Sequence, residues 1–375
     1  MPVPMLDLAA QNALVKQAAL DGLSRLIDTS AFVLGENVRG LEADLASYSG
    51  AMSAVGMSSG TDALLVALMA LGVGRGDEVI MPSFTFFATG GVVARLGAAP
   101  VFVDIEPDTF NAAPEAVESA IAPHTKAIMP VHLFGQLADM PKIMAIADNK
   151  CIPVIEDACQ SLGAKGWGKS AGQFGQLTGC SFYPTKNLGA FGDAGMVLIR
   201  EDESLAKRLR RLRVHGMEPV YCHHEVGING RLDEFQAMLL RAKLPLLENW
   251  HLARIKNANW YKERMQALAP SDLQLPLESA PDGRHIYNQF TVRAKRGRRD
   301  ALQAHLKEKG IGSAIFYPVP LHRQPCFDYL GYKQGSLPET ETASEEVLSL
   351  PIYPEMTEAM LEEVACAVLA FFKAN

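Results

Sequence analysis

Little in this chain points to a covalent or metal staple. Its 375 residues include six cysteines: Cys151, Cys159, Cys180, Cys222, Cys326 and Cys366. They are scattered without Cys-x-x-Cys spacing, which argues against a disulfide framework and a thiolate knuckle alike. Most stand in apolar stretches, which predicts reduced, core-packed thiols. Histidines with ligand spacing are also lacking, so no metal is expected. No apolar run approaches about 18 residues, the length a membrane-spanning helix needs. The opening MPVPMLDLAAQ lacks the charged-then-apolar pattern of a secretory leader, and a reducing cytoplasm is the expected compartment. A basic stripe is missing too: the formal charge is −7, which argues against nucleic acid as the main partner. The densest basic run, Lys295 to Arg299 in RAKRGRRD, is broken by glycine and reads as a solvated turn before a helix.

What remains is the composition of a soluble enzyme, 48% hydrophobic and 21% charged, long enough for a large and a small domain. From about residue 50 to residue 200, short β-rich runs (DEVIMPSFTFFAT, APVFVDIEP, TKAIMPVHLFG, CIPVIEDACQ, TGCSFYPTK, DAGMVLIR) alternate with amphipathic stretches such as NAAPEAVESAIA and MPKIMAIADNK. That alternation predicts an α/β domain with a mostly parallel sheet covered on both faces. The texture changes near Asn249. A long helix, interrupted early by Pro245, leads to strand-like YNQFTVRA, a helix at RDALQAHLKEKG, strand-like SAIFYPVP and a last helix from about Thr357. The expected division is residues 1–245 and 246–375, with a hinge within 240–260. A first helix, Leu14 to Asp28, is expected to pack across the large domain or a partner subunit.

Ligands of open α/β sheets bind at the carboxyl ends of strands, and four segments place polar groups there. In GMSSGTDALLVAL, Ser59, Gly60, Thr61 and Asp62 precede an apolar helix; they are an ordinary N-cap or an anion site of amides and hydroxyls. In VIEDACQS, Asp157 ends an apolar run as a helix cap, a metal ligand or a counter-ion for a buried cation. SFYPTKNLGAFGDAG carries Lys186 into a glycine-rich loop. In VGINGRLDEFQA, Asn229 and Arg231 precede a helix; the bland readings are a left-handed turn residue and a surface ion-pair partner. Together the four match what pyridoxal phosphate requires: anion donors, an aromatic-rich loop (PSFTFF), a carboxylate for the ring nitrogen and a lysine for the aldehyde.

The segments SSGTDAL, PSFTFFAT, PVIEDACQSLGA, SFYPTKNLGAFGDAGMV, RVHGM, GINGRLDEFQAMLL and FYPVPLHRQP resemble, in order and spacing, the DegT/StrS-type aminotransferases. The resemblance runs from Leu6 to the last helix. It implies the pyridoxal-phosphate-dependent aspartate aminotransferase fold (fold type I): a large domain with a mostly parallel seven-stranded sheet plus a smaller α+β C-terminal domain. It also implies the site. Lys186 matches the lysine that forms the internal aldimine, Asp157 the partner of the pyridine nitrogen, Gln160 the contact to the ring hydroxyl and Phe86 the stacking aromatic. Gly60, Thr61, the backbone of Asp62, and Ser181 fall at the phosphate, with Asn229 donated by the opposite subunit of a homodimer with shared active sites. Tyr183, Arg231, Tyr317 and His322 are similar to residues on the sugar side. The implied reaction moves an amino group, with glutamate as donor, through the pyridoxamine phosphate form to a nucleotide-linked keto-hexose. Phe316 stands where many relatives carry a histidine, which removes a potential partner for a uronate. RLDEFQA resembles relatives that aminate the 3-position more than the 4-position. The alternatives are a sugar dehydratase of the same family, in which histidine replaces the lysine, and a non-catalytic regulatory homologue.

Overall fold

The computed structural model describes residues 2–268 and 272–374. Two helices, α1 (Ala9–Thr29) and α2 (Glu36–Ser49), lead into β1 (Ser53–Met57), α3 (Gly60–Ala70), β2 (Glu78–Pro82), α4 (Phe87–Arg95) and β3 (Ala99–Val103). There follow α5 (Pro114–Ser119), β4 (Thr125–Ile128), α6 (Met140–Asn149), β5 (Ile155–Asp157) and a small hairpin of β6 (Lys165–Gly166) and β7 (Lys169–Ser170). Then come β8 (Leu177–Ser181), β9 (Gly195–Ile199), α7 (Glu203–Leu212), α8 (Glu234–Lys243) and α9 (Leu247–Met265). The chain closes with β10 (Leu273–Gln274), β11 (Phe290–Ala294), α10 (Arg299–Glu308), α11 (Pro338–Glu346), β12 (Val347–Leu350) and α12 (Glu358–Ala374).

One ladder runs β1-β9-β8-β5 and another β3-β2-β4. Parallel bridges Ile128–Val154 and Val131–Asp157 join them, giving the order β1-β9-β8-β5-β4-β2-β3. Within it β9 alone runs antiparallel to both neighbours, and the other pairs are parallel. The expected mostly parallel seven-stranded sheet is therefore present. Its strands are near-continuous apolar runs because both faces are covered; every residue of β9 is buried. Helix α3, apolar all round, is buried almost throughout, as such a helix must be. It presses so closely on β8 that a Cβ on Gly179 would stand 2.5 Å from the Leu64 side chain.

A second core gathers Tyr261, Phe290, Val292, Leu302, Leu348 and Val364 around the antiparallel β10-β11-β12 ladder. Val3 belongs to this core and bridges Ile311, so the start of the chain is tied to its end. Pro245 sits in a 3₁₀ turn, Leu244–Leu246, between α8 and α9, where a missing N–H is tolerated.

Several expectations need correction. The first helix begins at Ala9, because AAQN continues it toward the N-terminus. SAIFYPVP is no strand; only Ala314 bridges, to Ser349, and Pro318 and Pro320 remove the donors a ladder needs. All six thiols are free, but Cys151, Cys222, Cys326 and Cys366 are exposed and only Cys180 is fully buried. The basic run is the turn before α10: Arg296 and Arg298 both reach Asp272. Along α1, Leu14, Leu20, Leu23 and Ile27 are exposed. No helix among the described residues is long and apolar enough to cross a membrane.

Candidate active site

Asp157 closes β5, and its backbone is shared with the chain after β4: its N–H donates to Pro130 at 2.9 Å and its carbonyl accepts from His132 at 3.0 Å. Both carboxylate oxygens are held. Thr89 of α4 donates its hydroxyl to Oδ2 at 2.8 Å, and the Cys159 amide donates to Oδ1 at 3.2 Å. Thr85 lies 3.1 Å from the Thr89 hydroxyl and completes a buried file behind the carboxylate. Strand alternation turns the preceding residue, Glu156, to the opposite face. There it accepts from His132 Nε2, the amides of Gly172, Phe174 and Gly175, and the Thr178 hydroxyl, at 2.8–3.2 Å. Burial alone would raise this carboxyl; the bonds from His132 and the loop amides outweigh it and hold it below its ordinary value.

Lys186 stands in the loop from β8 to β9. Its amide donates to the Tyr183 carbonyl and that of Ala190 to Phe182, both at 2.8 Å. The glycines permit the backbone to close on itself. A Cβ on Gly189 would stand 2.3 Å from the Pro184 carbonyl oxygen, and one on Gly195 2.2 Å from that of Ser59. The Lys186 amine makes no hydrogen bond or ion pair among the described residues. Burial depresses its pKa, against the opposing influence of Cys159 and Asp157. Burial also pushes the Cys159 thiol well up, leaving that neighbour uncharged at neutral pH.

Around this pair the remaining groups converge. Ser59 caps α3 by accepting from the Asp62 amide at 3.0 Å, so the ordinary capping role is real, and it aims the helix start at the end of β8. Gly60 has no room for a side chain: a Cβ there would lie 2.6 Å from Ser181 Cβ. Gln160 accepts from the Phe134 amide at 2.8 Å and donates to the Tyr317 hydroxyl at 3.0 Å. Phe86, 57% exposed, faces Tyr317 with ring centres 6.2 Å apart. Thr61 and Tyr183 are exposed beside these groups. Lys186, Ser181, Gln160 and Cys159 share one small cavity with Ser161, Asn187 and Asn288. In that lining Ser161 Oγ, Asn187 Oδ1 and Asn288 Oδ1 are buried without partners among the described residues.

Two groups do not join them. Asn229 and Arg231 line a separate cavity of about 270 Å³ with Phe32, Val33 and Ser58. Asn229 is no left-handed turn residue, since its φ is not positive; it bridges Val214, and Arg231 bridges Met57. His322 departs from the expected contact on the sugar side: it is 2% exposed and both ring nitrogens are engaged. The Ser83 hydroxyl donates to Nδ1 at 2.7 Å, and Nε2 donates to Glu341 at 3.1 Å. Its place is behind the strand end, where it sets Ser83 and the turn after Pro320.

Sequence reasoning passes over Thr89, Glu156 and His132. Thr89 stands within PSFTFFAT, in the first turn of α4 and four residues after Thr85, which lies just ahead of that helix; Glu156 gives no signal besides being a charge inside an apolar strand. The residues present fit pyridoxal phosphate. They include an amine without a protein partner, a carboxylate clamped at both oxygens, an exposed aromatic face, and a helix start with no side chain in the way.

Residues 15–369 match the model of the DegT/DnrJ/EryC1/StrS aminotransferase family. This chain belongs to that family. The aminotransferase is 49% identical over 374 residues to the pleiotropic regulatory protein of Geobacillus stearothermophilus, covering 100% of this chain and 99% of that one. It is 45% identical over 367 residues to the UDP-N-acetyl-3-dehydro-alpha-D-glucosamine 3-aminotransferase of Acidithiobacillus ferrooxidans, covering 98% and 97%. Among solved structures, Streptomyces venezuelae DesV in complex with a ketimine intermediate superposes with a TM-score of 0.94 at 40% identity, covering 99% of this chain and 98% of that one.

Proposed function

We propose that this aminotransferase moves an amino group from glutamate to carbon 3 of a nucleotide-linked 3-keto-hexose, with Lys186 and Asp157 at the centre of its chemistry. The observation that carries the reading is the conjunction of a partnerless Lys186 amine with an Asp157 carboxylate held on both oxygens. When bound, pyridoxal phosphate supplies the electron sink that lets the carbon–hydrogen bond beside an amine break. Asp157 keeps a proton on the ring nitrogen, because its oxygens, already oriented by Thr89 and the Cys159 amide, present a fixed acceptor. Lys186 Nζ takes and returns the proton at the reacting carbon; its depressed pKa makes more of the neutral amine available. Gly60, Thr61, the Asp62 amide and Ser181 would hold the phosphate at the start of α3, Phe86 would cover one ring face, and Gln160 would meet the ring hydroxyl.

On the sugar side stand Tyr183 and Tyr317, while Arg231, which shares the separate cavity with Asn229, reaches the sugar of the other subunit's site in the homodimer. Phe316, 5.9 Å from the Tyr317 ring centre, adds an apolar wall where a carboxylate would need a cation, so a hydroxymethyl sugar is favoured over a uronate. The relative acting at carbon 3 of a UDP-linked sugar supports the same regiochemistry. Incubation with glutamate and a panel of UDP- and dTDP-linked 3-keto and 4-keto sugars, followed by mass spectrometry, is expected to yield amines from the 3-keto members. Turnover of 4-keto sugars alone would overturn the assignment.

The working unit in this reading is a homodimer, divided within each chain near residue 245. The uncovered α1 stripe and the separate Asn229 cavity support it: Asn229 completes the phosphate site of the other subunit. Mixing Asn229→Ala with Lys186→Ala subunits is then expected to restore up to about a quarter of wild-type turnover, since each hybrid dimer carries one intact site. Activity no greater than the sum of the two variants sinks the shared site.

A further inference from the structure

A buried ammonium without a carboxylate partner is costly to keep. Of the buried arginines among the described residues, Arg213 is matched by Glu42 and Arg293 by Glu346, while Arg254 donates to the carbonyls of Tyr287 and Ile352 instead. Lys243, in the last turn of α8, is 3% exposed and makes no ion pair among the described residues. Its ammonium donates to the Gly189 carbonyl at 2.7 Å and to Asn12 Oδ1 of α1 at 3.0 Å, and lies 4.7 Å from the centre of the Phe191 ring. Desolvation draws its pKa down to about 8.

Gly189 and Phe191 both belong to the loop that carries Lys186. The same loop is held a second time by α8: the Phe191 amide donates to Gln236 Oε1 at 2.9 Å. Gln236 and Lys243 are seven residues apart, hence on one face of the helix. The lysine therefore reaches a bare backbone carbonyl, an aromatic face and α1 at once, which no hydrocarbon side chain of that length can do.

We propose that Lys243 is a positioning residue for Lys186: it pins the Gly189–Phe191 limb of the loop to α8 and α1, and so fixes where the Lys186 amine stands. This rests on Lys186 being the reacting amine. A merely structural residue would be missed in stability, whereas an apolar isostere here relieves an unpaired buried charge and frees the loop.

The test is Lys243→Met, studied by hydrogen exchange on the protein before pyridoxal phosphate is added, by thermal melting, and by kinetics of the holoenzyme. Peptides covering residues 184–195 are expected to exchange about tenfold faster, with β8 and the first turns of α8 unchanged. The melting temperature stays within about 3 °C, and kcat falls about tenfold or more with KM for glutamate within about twofold. Unaltered loop exchange overturns the proposal, and so does a melting temperature that drops together with exchange across the whole chain. Should Lys243→Met not fold, Asn12→Ala removes one acceptor from a half-buried site; it is expected to quicken loop exchange about threefold, and no change there overturns the proposal. Borohydride trapping of the wild-type holoenzyme separates the two levels. Cofactor on another lysine ends the reading of Lys186 and the brace with it. Cofactor on Lys186 with a kinetically silent Lys243→Met ends the brace alone.

Discussion

Replacing Lys186 with alanine is expected to lower transamination at least about a thousandfold while the protein still takes up pyridoxal phosphate. The loss is large because no other amine lines the cavity among the described residues: its lining offers amide, hydroxyl and thiol groups from Cys159, Gln160, Ser161, Ser181, Asn187 and Asn288. The thiol is no substitute base, since burial keeps it protonated. Uptake persists because nothing that holds the other groups depends on the lysine side chain. Asp157 is oriented by Thr89 and the Cys159 amide, Gln160 by Phe134 and Tyr317, and the start of α3 by Ser59. Equilibrium dialysis measures the uptake and single-turnover mass spectrometry the transfer. Small primary amines are expected to restore part of the rate; turnover within tenfold of wild type would place the proton transfer elsewhere.

The acidic side of the wild-type rate profile follows from the same burial. A depressed Lys186 pKa keeps the neutral amine available at lower pH than an ordinary lysine allows. Activity limited by this group declines as pH falls through that value and is steady above it. Restoring solvent to the loop moves the decline toward higher pH.

Much of this arrangement is legible in the order of the residues alone. Asp157 and Lys186 each follow an apolar run, and the carboxyl ends of parallel strands gather at one edge of the sheet, so strand ends distant in sequence meet there. Ser59 to Asp62 carry a local signal, the cap of a helix. His322 misleads because a motif position reports which residue is present and not which way its ring nitrogens are used; only the hydroxyl of Ser83 and the carboxylate of Glu341 decide that. Lys243 is illegible for a different reason. It lies at a helix C-terminus, the ordinary place for an exposed lysine, and its burial depends on α1 and on a loop more than fifty residues away. SAIFYPVP fails as a strand on its prolines, whose effect on a ladder is masked, in a reading by hydropathy, by the apolar residues around them.

Glu156 is where the sequence says least and the expected stability effect is greatest. Glu156→Ala is expected to destabilise the protein by about 3–5 kcal/mol in denaturant melts. The carboxylate is fully buried and ends five donors: His132 Nε2, the amides of Gly172, Phe174 and Gly175, and the Thr178 hydroxyl. His132 has no second choice, because its Nδ1 already accepts from the Ala138 amide at 3.1 Å and the proton of the neutral ring must sit on Nε2. Alanine strands these donors away from water, and each stranded donor costs about 1–3 kcal/mol where the backbone cannot relax. Glutamine is expected to be nearly as harmful, since its amide turns a donor toward donors. The pH dependence gives the sign. Because the folded carboxyl titrates below its ordinary value, its contribution is complete above the ordinary carboxylate range and is lost as pH falls through the folded value. Wild type therefore sheds on acidification what Glu156→Ala never had, and the two stabilities are expected to converge at low pH. A gap between them that stays constant from neutrality downward would mean that the shape of this side chain, and not its charge, holds β5 and the Asp157 beside it in place.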